Sequence, residues 1–357
     1  MNGKRVVVGM SGGVDSSVAA LLLKKQGFDV IGVTMQVWQE ESELTQEENG
    51  GCCGLSAVED ARRVARVIGI PHYVMNFRKE FRKNVMDYFV REYMAGRTPN
   101  PCIACNRYVK WESLLTKSLS IGADYIATGH YASVIRLDSG RFTLKAAPSS
   151  KDQSYALYNL TQDQLAHTLM PLGIYTKPEV RNMAKEAGLP VAEKPDSEEI
   201  CFIPDHDYAK FIEEDTGVKD KEGLFVDEDG KVLGIHKGIT HYTIGQRKHL
   251  GLAFGYPVFV KKILPEENKV VLSGNEALFE RTLTVSDVNL MSVPELNGKT
   301  PVIAKIRYNH KGSSAIIEPA DGRTVRVIFD EPQRAVTPGQ AAVFYQNDCI
   351  LGGGTIQ

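Results

Sequence analysis

The sequence is short of most features that would place it quickly. No stretch of its 357 residues approaches the ~20 consecutive apolar residues of a membrane-spanning helix. An apolar run, Arg5 to Val8, reads as a strand almost at the start, so no leader is expected and the setting is read as cytoplasmic. Six cysteines are too few for a disulfide-built secreted scaffold in a chain of this length; in a reducing compartment they read as catalytic or metal-binding. Lys and Arg number 42 against 44 Asp and Glu, so the whole chain carries no excess that would seek a polyanion. Gly-x-Gly-x-x-Gly is absent, and no Gly-Lys-Ser/Thr follows the glycine-rich turn near the N-terminus. Those absences remove the dinucleotide fingerprint and the Walker A loop. Neither an internal repeat nor a low-complexity segment is present.

What is there begins at that turn. Gly9, Met10, Ser11, Gly12, Gly13, Val14, Asp15, Ser16 and Ser17 follow the apolar strand and precede a helical run, Val18 to Lys25. A strand, a glycine turn and a helix N-terminus in that order bring backbone N–H groups and the positive end of the helix dipole onto one point, which suits a phosphate. A purely structural turn, with Asp15 acting only as a cap, is the plainer reading. The charge is also unevenly spread. Residues 61–117 hold 12 Lys and Arg against 4 Asp and Glu, whereas residues 38–60 hold 7 acids and no base. A basic block of that kind is usually a solvated helix face. Here it surrounds a cysteine motif, which favours a polyanionic partner.

At this length two or three domains are expected. Strand-like runs at 5–8, 30–34, 72–76 and 125–128 alternate with helical runs at 16–26, 57–68, 81–94 and 112–121. That alternation predicts a parallel sheet covered by helices on both faces, with ligands beyond its C-terminal edge. Residues 38–54 read as a loop, 178–190 as a short helix with a Gly stop, and 191–207 as an irregular loop carrying Cys201. A small region with Gly-rich turns follows, then short β-rich segments near 283–288, 302–308, 314–318, 323–329 and 341–346, which predict a small β-barrel. The expected division is 1–207, 208–280 and 281–357.

Further motifs narrow the chemistry. They are Thr98-Pro-Asn-Pro-Cys-Ile-Ala-Cys-Asn-Arg107, Ala127-Thr-Gly-His-Tyr-Ala132, Lys151-Asp-Gln-Ser-Tyr-Ala-Leu157, Glu199-Ile-Cys-Phe-Ile-Pro-Asp205 and His241-Tyr-Thr-Ile-Gly-Gln-Arg-Lys248. The turn at 9–17 resembles the PP-loop, Ser-Gly-Gly-x-Asp-Ser, of the ATP pyrophosphatase superfamily. The whole series, in this order, resembles the tRNA-specific 2-thiouridylases within it, over essentially the full chain. The resemblance implies a parallel-sheet PP-loop domain (adenine nucleotide α-hydrolase-like), a small central domain and a C-terminal barrel. It also implies the reaction: ATP, with Mg²⁺, adenylates the C2 oxygen of uridine 34 in tRNA, and a persulfide then delivers sulfur as AMP leaves. A thiolate or persulfide is the reactive form of cysteine sulfur, and AMP is a far better leaving group than a uracil oxygen. Lys-, Glu- and Gln-type tRNAs are the implied acceptors, and a cysteine desulfurase or a sulfur-relay protein the implied donor.

By matching motifs, the resemblance gives ATP the run Gly9, Met10, Ser11, Gly12, Gly13, Val14, Asp15 and Ser16, with Met35 against the adenine and Gly129 beside the nucleotide. Cys201 matches the persulfide carrier, and Cys105 the nucleophile that closes a disulfide with it or otherwise helps release sulfur. Asn100, Pro101 and Cys102 match the segment contacting the target base. His130, Lys151, Asp152, Gln153, Arg307, Tyr308 and Gln340 match tRNA contacts. Cys102 stands where some family members carry Asp, which makes a Cys102-x-x-Cys105 pair. With Cys201 these thiolates suggest an alternative sulfur route through a [4Fe–4S] cluster. Smaller departures are Glu198 before Glu-Ile-Cys and His249 after Gln-Arg-Lys.

Plainer readings cover the other residues. Adjacent Cys52 and Cys53 are poorly placed to ligate one metal, and Cys349, in an expected terminal strand, reads as a small buried hydrophobe. His167, His206, His236 and His310 read as surface residues, and Trp38 and Trp111 as packing anchors. An amidotransferase-type synthetase would need a glutaminase partner domain, and an argininosuccinate-type ligase would not need Cys105 or Cys201. A non-catalytic ATP and RNA binder would gain nothing from reactive thiols.

Overall fold

The structure, a computed structural model, describes residues 3–37, 55–196 and 200–357. The readings made for Trp38, Cys52, Cys53, Glu198 and the loop 38–54 lie outside those residues. Five parallel strands form the first sheet: β1 (Arg5–Gly9), β2 (Asp29–Gln36), β3 (His72–Asn76), β4 (Tyr125–Ala127) and, past an intervening hairpin, β7 (Thr168–Leu169). Their order is β3, β2, β1, β4, β7. Alternate residues of β1 serve opposite faces, as the two-residue period of a strand requires. Val6 and Val8 pack with Val18, Ala61 and Val180 on one side, where α1 (Val14–Lys25), α2 (Leu55–Ile68) and the helix Lys177–Glu186 lie. Val7 packs with Phe89, Trp111 and Leu114 on the other, where helical stretches 78–94 and 101–120 lie. Trp111 is the anchor expected of it: it is 1% exposed and its Nε1 donates to Thr168 Oγ1 at 2.8 Å.

The intervening hairpin, β5 (Ala132–Arg136) and β6 (Phe142–Ala146), is absent from the strand–helix alternation read in the sequence. It leaves the parallel sheet and adds itself to the C-terminal one. Ala146 N–H donates to Asp348 O at 2.8 Å and Thr143 Oγ1 to Ile350 O at 2.6 Å. Each strand has only five residues; Asp138-Ser-Gly140 between them, with Gly140 at φ +83, is a local hairpin signal, but the strand that β6 joins, at Cys349, lies some two hundred positions away and is not announced by it.

Helix Tyr208–Thr216 leads to a small four-stranded sheet, β8 (Gly223–Val226), β9 (Val232–His236), β10 (Phe259–Leu264) and β11 (Lys269–Ser273), ordered β10, β11, β8, β9. Here one expectation fails. His236 is not a surface residue: it is 1% exposed, packed against Phe225 and Tyr242, with Nδ1 accepting from Gly238 N–H at 3.0 Å. It is the last residue of β9 and takes the inward face of the strand, where the imidazole is satisfied by backbone.

The remaining strands are β12 (Phe279–Leu290), β13 (Thr300–Lys305), β14 (Ser313–Pro319), β15 (Val325–Arg334), β16 (Ala341–Gln346) and β17 (Cys349–Ile356). They run in the order β12, β15, β14, β13, β16, β17, and β12 also pairs with β17, so the six strands close into the expected barrel. Its core is Val285, Ala304, Ile317, Val327, Phe344 and Ile356, all close to fully buried. Cys349 opens β17 half-buried rather than deep in that core, and burial raises its thiol pKa.

Candidate nucleotide and sulfur site

The glycine turn lies beyond the C-terminal end of β1, between the flanking strands β2 and β4, where a parallel sheet opens its crevice. Gly12 has φ +69, and a Cβ there would collide with the Ala57 carbonyl of α2; only glycine fits. Gly13 is the N-cap of α1 in extended conformation, with no side chain capping the helix. The turn is stitched instead by its own hydroxyls. Ser11 N–H donates to Ser16 Oγ at 3.2 Å, and Ser17 Oγ donates to Gly13 O at 2.7 Å. Met10 is tied to β2 by its N–H to Val33 O at 2.8 Å and by Thr34 Oγ1 to its own carbonyl at 2.8 Å. Met35, two residues beyond Val33 near the end of β2, is half-buried.

Gly129 closes the site from β4. A Cβ on it would stand 2.6 Å from both Asp15 C and Ser16 N, so the β4 loop touches the turn backbone to backbone. Gly129→Ala is therefore expected to push the turn apart at a cost of about 1–3 kcal/mol, read as a rise of roughly tenfold in the Kd for ATP by calorimetry.

Charges surround the turn in a way the motifs did not disclose. Lys177 Nζ reaches both carboxylate oxygens of Asp15 at 2.8 Å, and the Tyr131 hydroxyl donates to Asp15 Oδ1 at 2.7 Å. Lys194 Nζ donates to Gly12 O at 3.2 Å and pairs with Asp60 at 2.7 Å. Lys177 also pairs with Asp196 at 2.7 Å. Burial, with the hydrogen bond to Asp15, drives the Tyr131 phenol pKa far up, so it stays a donor. A sequence signal for Lys177 existed. Thr176 and Glu179 form a capping box that starts the helix Lys177–Glu186, which puts a lysine in its first turn, against the helix dipole. A cation held there needs acceptors from outside its own helix, and Asp15 and Asp196 are those acceptors.

The first cysteine segment starts a helix. Asn100 is its N-cap, its Oδ1 accepting from Cys102 N–H at 3.1 Å and Ile103 N–H at 3.3 Å, with Pro101 in the first turn. The winding widens to a π-helix over Cys105–Leu114. Cys102 is exposed, and Cys105 is half-buried against the core. Cys102 lies within electrostatic reach of the barrel: burial raises the Tyr308 phenol pKa, and nearby Asp152 and Cys102 add to that. Cys201 is exposed on an irregular turn, but Phe202 and Ile203 beside it are buried. Phe202 meets Phe81, Phe89 and Phe211 edge-on at 5.6, 5.5 and 5.2 Å, which anchors the turn. Among the described residues, no three His, Cys, Asp or Glu side chains converge as a metal site would require. Cys102, Cys105 and Cys201 thus do not fit a cluster in this arrangement.

The residues matched to tRNA contacts divide. Lys151 and Arg307 are exposed; Arg307 donates to Arg334 O at 3.1 Å. Tyr308 is 43% exposed and sits edge-on to Tyr155. Asp152 is turned inward, accepting from Ala147 N–H, Ser154 N–H and Ser154 Oγ at 2.9–3.1 Å, with Lys305 at 3.6 Å. Gln153 is likewise internal: its side chain accepts from Tyr131 N–H at 3.0 Å. Gln340 binds Thr98 O at 2.8 Å and so stitches the barrel to the cysteine segment.

His130 donates to or accepts from Thr128 Oγ1 at 2.6 Å and leans on Trp111. Burial, with the Lys110 charge nearby, pushes its pKa well below 6.5; His72, His236 and His310 are also lowered, each mainly by burial. A lowered histidine binds its proton more readily when unfolded, so its contribution to stability is complete above pH 6.5 and lost as pH falls toward the folded value. Melting temperature is expected to drop between pH 7 and 5, and His130→Gln to flatten part of that drop in thermal scans.

Three family models cover the chain. The "tRNA methyl transferase HUP domain" matches residues 4–205, the "tRNA methyl transferase PRC-barrel domain" 209–274, and the "Aminomethyltransferase beta-barrel domain" 280–356. Among curated relatives, the tRNA-specific 2-thiouridylase MnmA of Lachnoclostridium phytofermentans is 65% identical over 99% of both chains. Those of Acetivibrio thermocellus and Clostridium perfringens are 56% and 57% identical, each over 100% of this chain and at least 99% of the relative. Among solved structures, an NMN synthetase from Francisella tularensis aligns with 61% of this chain and 74% of its own at 16% identity and a TM-score of 0.36. Identity at this level along the whole length leaves one assignment: the chain belongs to the tRNA-specific 2-thiouridylase MnmA family.

Proposed function

We propose that this chain transfers sulfur to C2 of the wobble uridine, position 34, of tRNA in a reaction driven by Mg-ATP. The observation that carries the reading is the glycine turn itself. It is an uncapped helix N-terminus flanked by Lys177 and Lys194, in a chain that also displays Cys201 on an anchored, exposed turn. The relatives' names give the same activity. Two of the family models' descriptions name a methyl transfer, but the relatives that match the whole chain are named for thiolation.

In this reading the N–H groups of the turn and the two lysines hold the phosphates, with Met35 and Gly129 bordering the nucleotide. The uridine O2 attacks the α-phosphorus, pyrophosphate leaves, and AMP becomes the leaving group at C2. Cys201 carries a persulfide loaded by a cysteine desulfurase or a relay protein. Its terminal sulfur attacks C2 as AMP departs. The Cys105 thiolate then attacks the Cys201 sulfur. The bond from Cys201 to the transferred sulfur breaks, both its electrons stay on that sulfur as 2-thiouridine, and a Cys105–Cys201 disulfide forms. A dithiol reductant restores the thiols. Asn100, Pro101 and Cys102 face the target base, Lys151, Arg307 and Tyr308 contact the tRNA, and His130, Asp152, Gln153 and Gln340 hold from within the segments that meet it. Lys-, Glu- and Gln-type tRNAs are the acceptors, the setting is the cytoplasm, and the working domains are 1–207, 208–280 and 281–357.

The test is nucleoside mass spectrometry of unmodified tRNA incubated with the protein, Mg-ATP, a cysteine desulfurase and cysteine. 2-Thiouridine at position 34 is the expected product. Pyrophosphate without a thiolated nucleoside would reject this acceptor. Cys102→Asp, assayed in air without iron, is expected to keep thiolation within about tenfold of native, because a persulfide route needs only the other two cysteines. A loss restored by anaerobic iron and sulfide would reinstate the cluster route.

A further inference from the structure

Asp196 lies five residues before Cys201 and gathers cations from two separate segments of the chain. Lys177 Nζ is 2.7 Å away, Lys151 Nζ 3.1 Å and Arg181 Nη2 3.3 Å. Burial alone would raise the Asp196 carboxyl, but the hydrogen bonds from Lys177 and Lys151 together outweigh it and hold the pKa below the usual range. Arg181 also donates to Ala192 O at 3.0 Å and Lys194 O at 3.1 Å, which fixes the backbone leading into Asp196. On the far side of the segment, Phe202 and Ile203 are buried. Asp196 and Phe202, which lie on either side of Cys201 in the chain, are therefore each held, the first by an ion-pair junction and the second by an aromatic anchor.

The junction is shared with the nucleotide site. The Lys177 ammonium that pairs with Asp196 also grips both oxygens of Asp15 in the glycine turn. An ammonium has three donors. Phosphates entering the turn compete for them, and what they take is lost by Asp15 or by Asp196. Lys151 brings in the segment matched to tRNA contact. We propose that Asp196 is a positioning residue that couples occupancy of the nucleotide site to the placement of Cys201. Its value for sulfur delivery rests on the proposed function; the coupling itself does not.

The first experiment follows alkylation of Cys201 by iodoacetamide, quantified on its own peptide, with and without Mg²⁺ and a non-hydrolysable ATP analogue. Nucleotide is expected to change the native rate by at least about fivefold, the size of a modest coupling free energy. Asp196→Asn is expected to reduce that response to less than about twofold while binding the analogue normally and melting where the native protein melts; Asp196→Glu is expected to restore most of it. An equal response in Asp196→Asn, or no response in the native protein, overturns the coupling. The second experiment is single-turnover thiolation. Asp196→Asn is expected to slow sulfur incorporation about tenfold with pyrophosphate release preserved. Equal losses in both would make Asp196 a support of the ATP site alone and overturn the proposal. A native protein that makes no 2-thiouridine rejects the proposed function, and the alkylation result still decides the coupling.

Discussion

Cys201→Ser is expected to lower 2-thiouridine formation by at least about a thousandfold while leaving ATP-dependent pyrophosphate release within about threefold of native. The reasoning is chemical and then structural. A hydroxyl cannot hold a persulfide, so the transferable sulfur has no carrier. The exchange of sulfur for oxygen at an exposed position disturbs little, because Phe202 and Ile203 supply the buried anchor of the turn. Unchanged thermal unfolding should accompany the loss, and mass spectrometry of the desulfurase-treated protein should show the added sulfur atom vanish from this peptide. Thiolation that survives in Cys201→Ser would remove Cys201 from the pathway and, with it, the proposed disulfide to Cys105.

The glycine turn was readable because its requirements are local. A strand, residues free of Cβ and a helix start lie within nine positions, and the structure puts each where the pattern puts it. The parallel sheet and the closed barrel were legible for the same reason, through strand–helix alternation and regularly spaced turns. The docking of hairpin β5–β6 on β17 was not, because its partner lies some two hundred positions on. His236 was missed although Phe225, Gly238 and Tyr242 are near it in sequence, because nothing in a five-residue strand marks which face turns inward. The site divides along the same line. Asp15 was visible as part of a motif, but its partners Lys177 and Tyr131 come from positions more than a hundred residues on. Asp152 and Gln153 show the converse. Their residue types suit contact with RNA, yet both side chains are engaged within the protein, Asp152 with the backbone around 147–154 and Gln153 with Tyr131. A motif names which residues matter; the direction a side chain takes is decided by the surrounding packing.

Asp15→Ala is expected to cut pyrophosphate release by about 100- to 1,000-fold, the loss typical when one member of a preorganised electrostatic site is removed. The side chain fixes Lys177 at both carboxylate oxygens and accepts the Tyr131 hydroxyl. Without it, Lys177 keeps Asp196 and swings toward that partner, away from the phosphates. Tyr131, only 2% exposed, loses its acceptor, which costs about 1–3 kcal/mol of stability. Asp15→Asn separates the two effects. An amide oxygen still accepts from Tyr131, so unfolding should return close to native, while the missing charge should still slow release at least about tenfold. The measurement is pyrophosphate release per tRNA beside a denaturant unfolding curve. Normal release in Asp15→Ala would take the nucleotide away from this turn. The contrast with Cys201→Ser then carries the mechanism: one variant should stop before pyrophosphate leaves with its persulfide intact, and the other should release pyrophosphate and deliver no sulfur. If both variants stopped at the same step, adenylation and sulfur transfer would not be separate events, and the two-step scheme would fail even with each residue correctly placed.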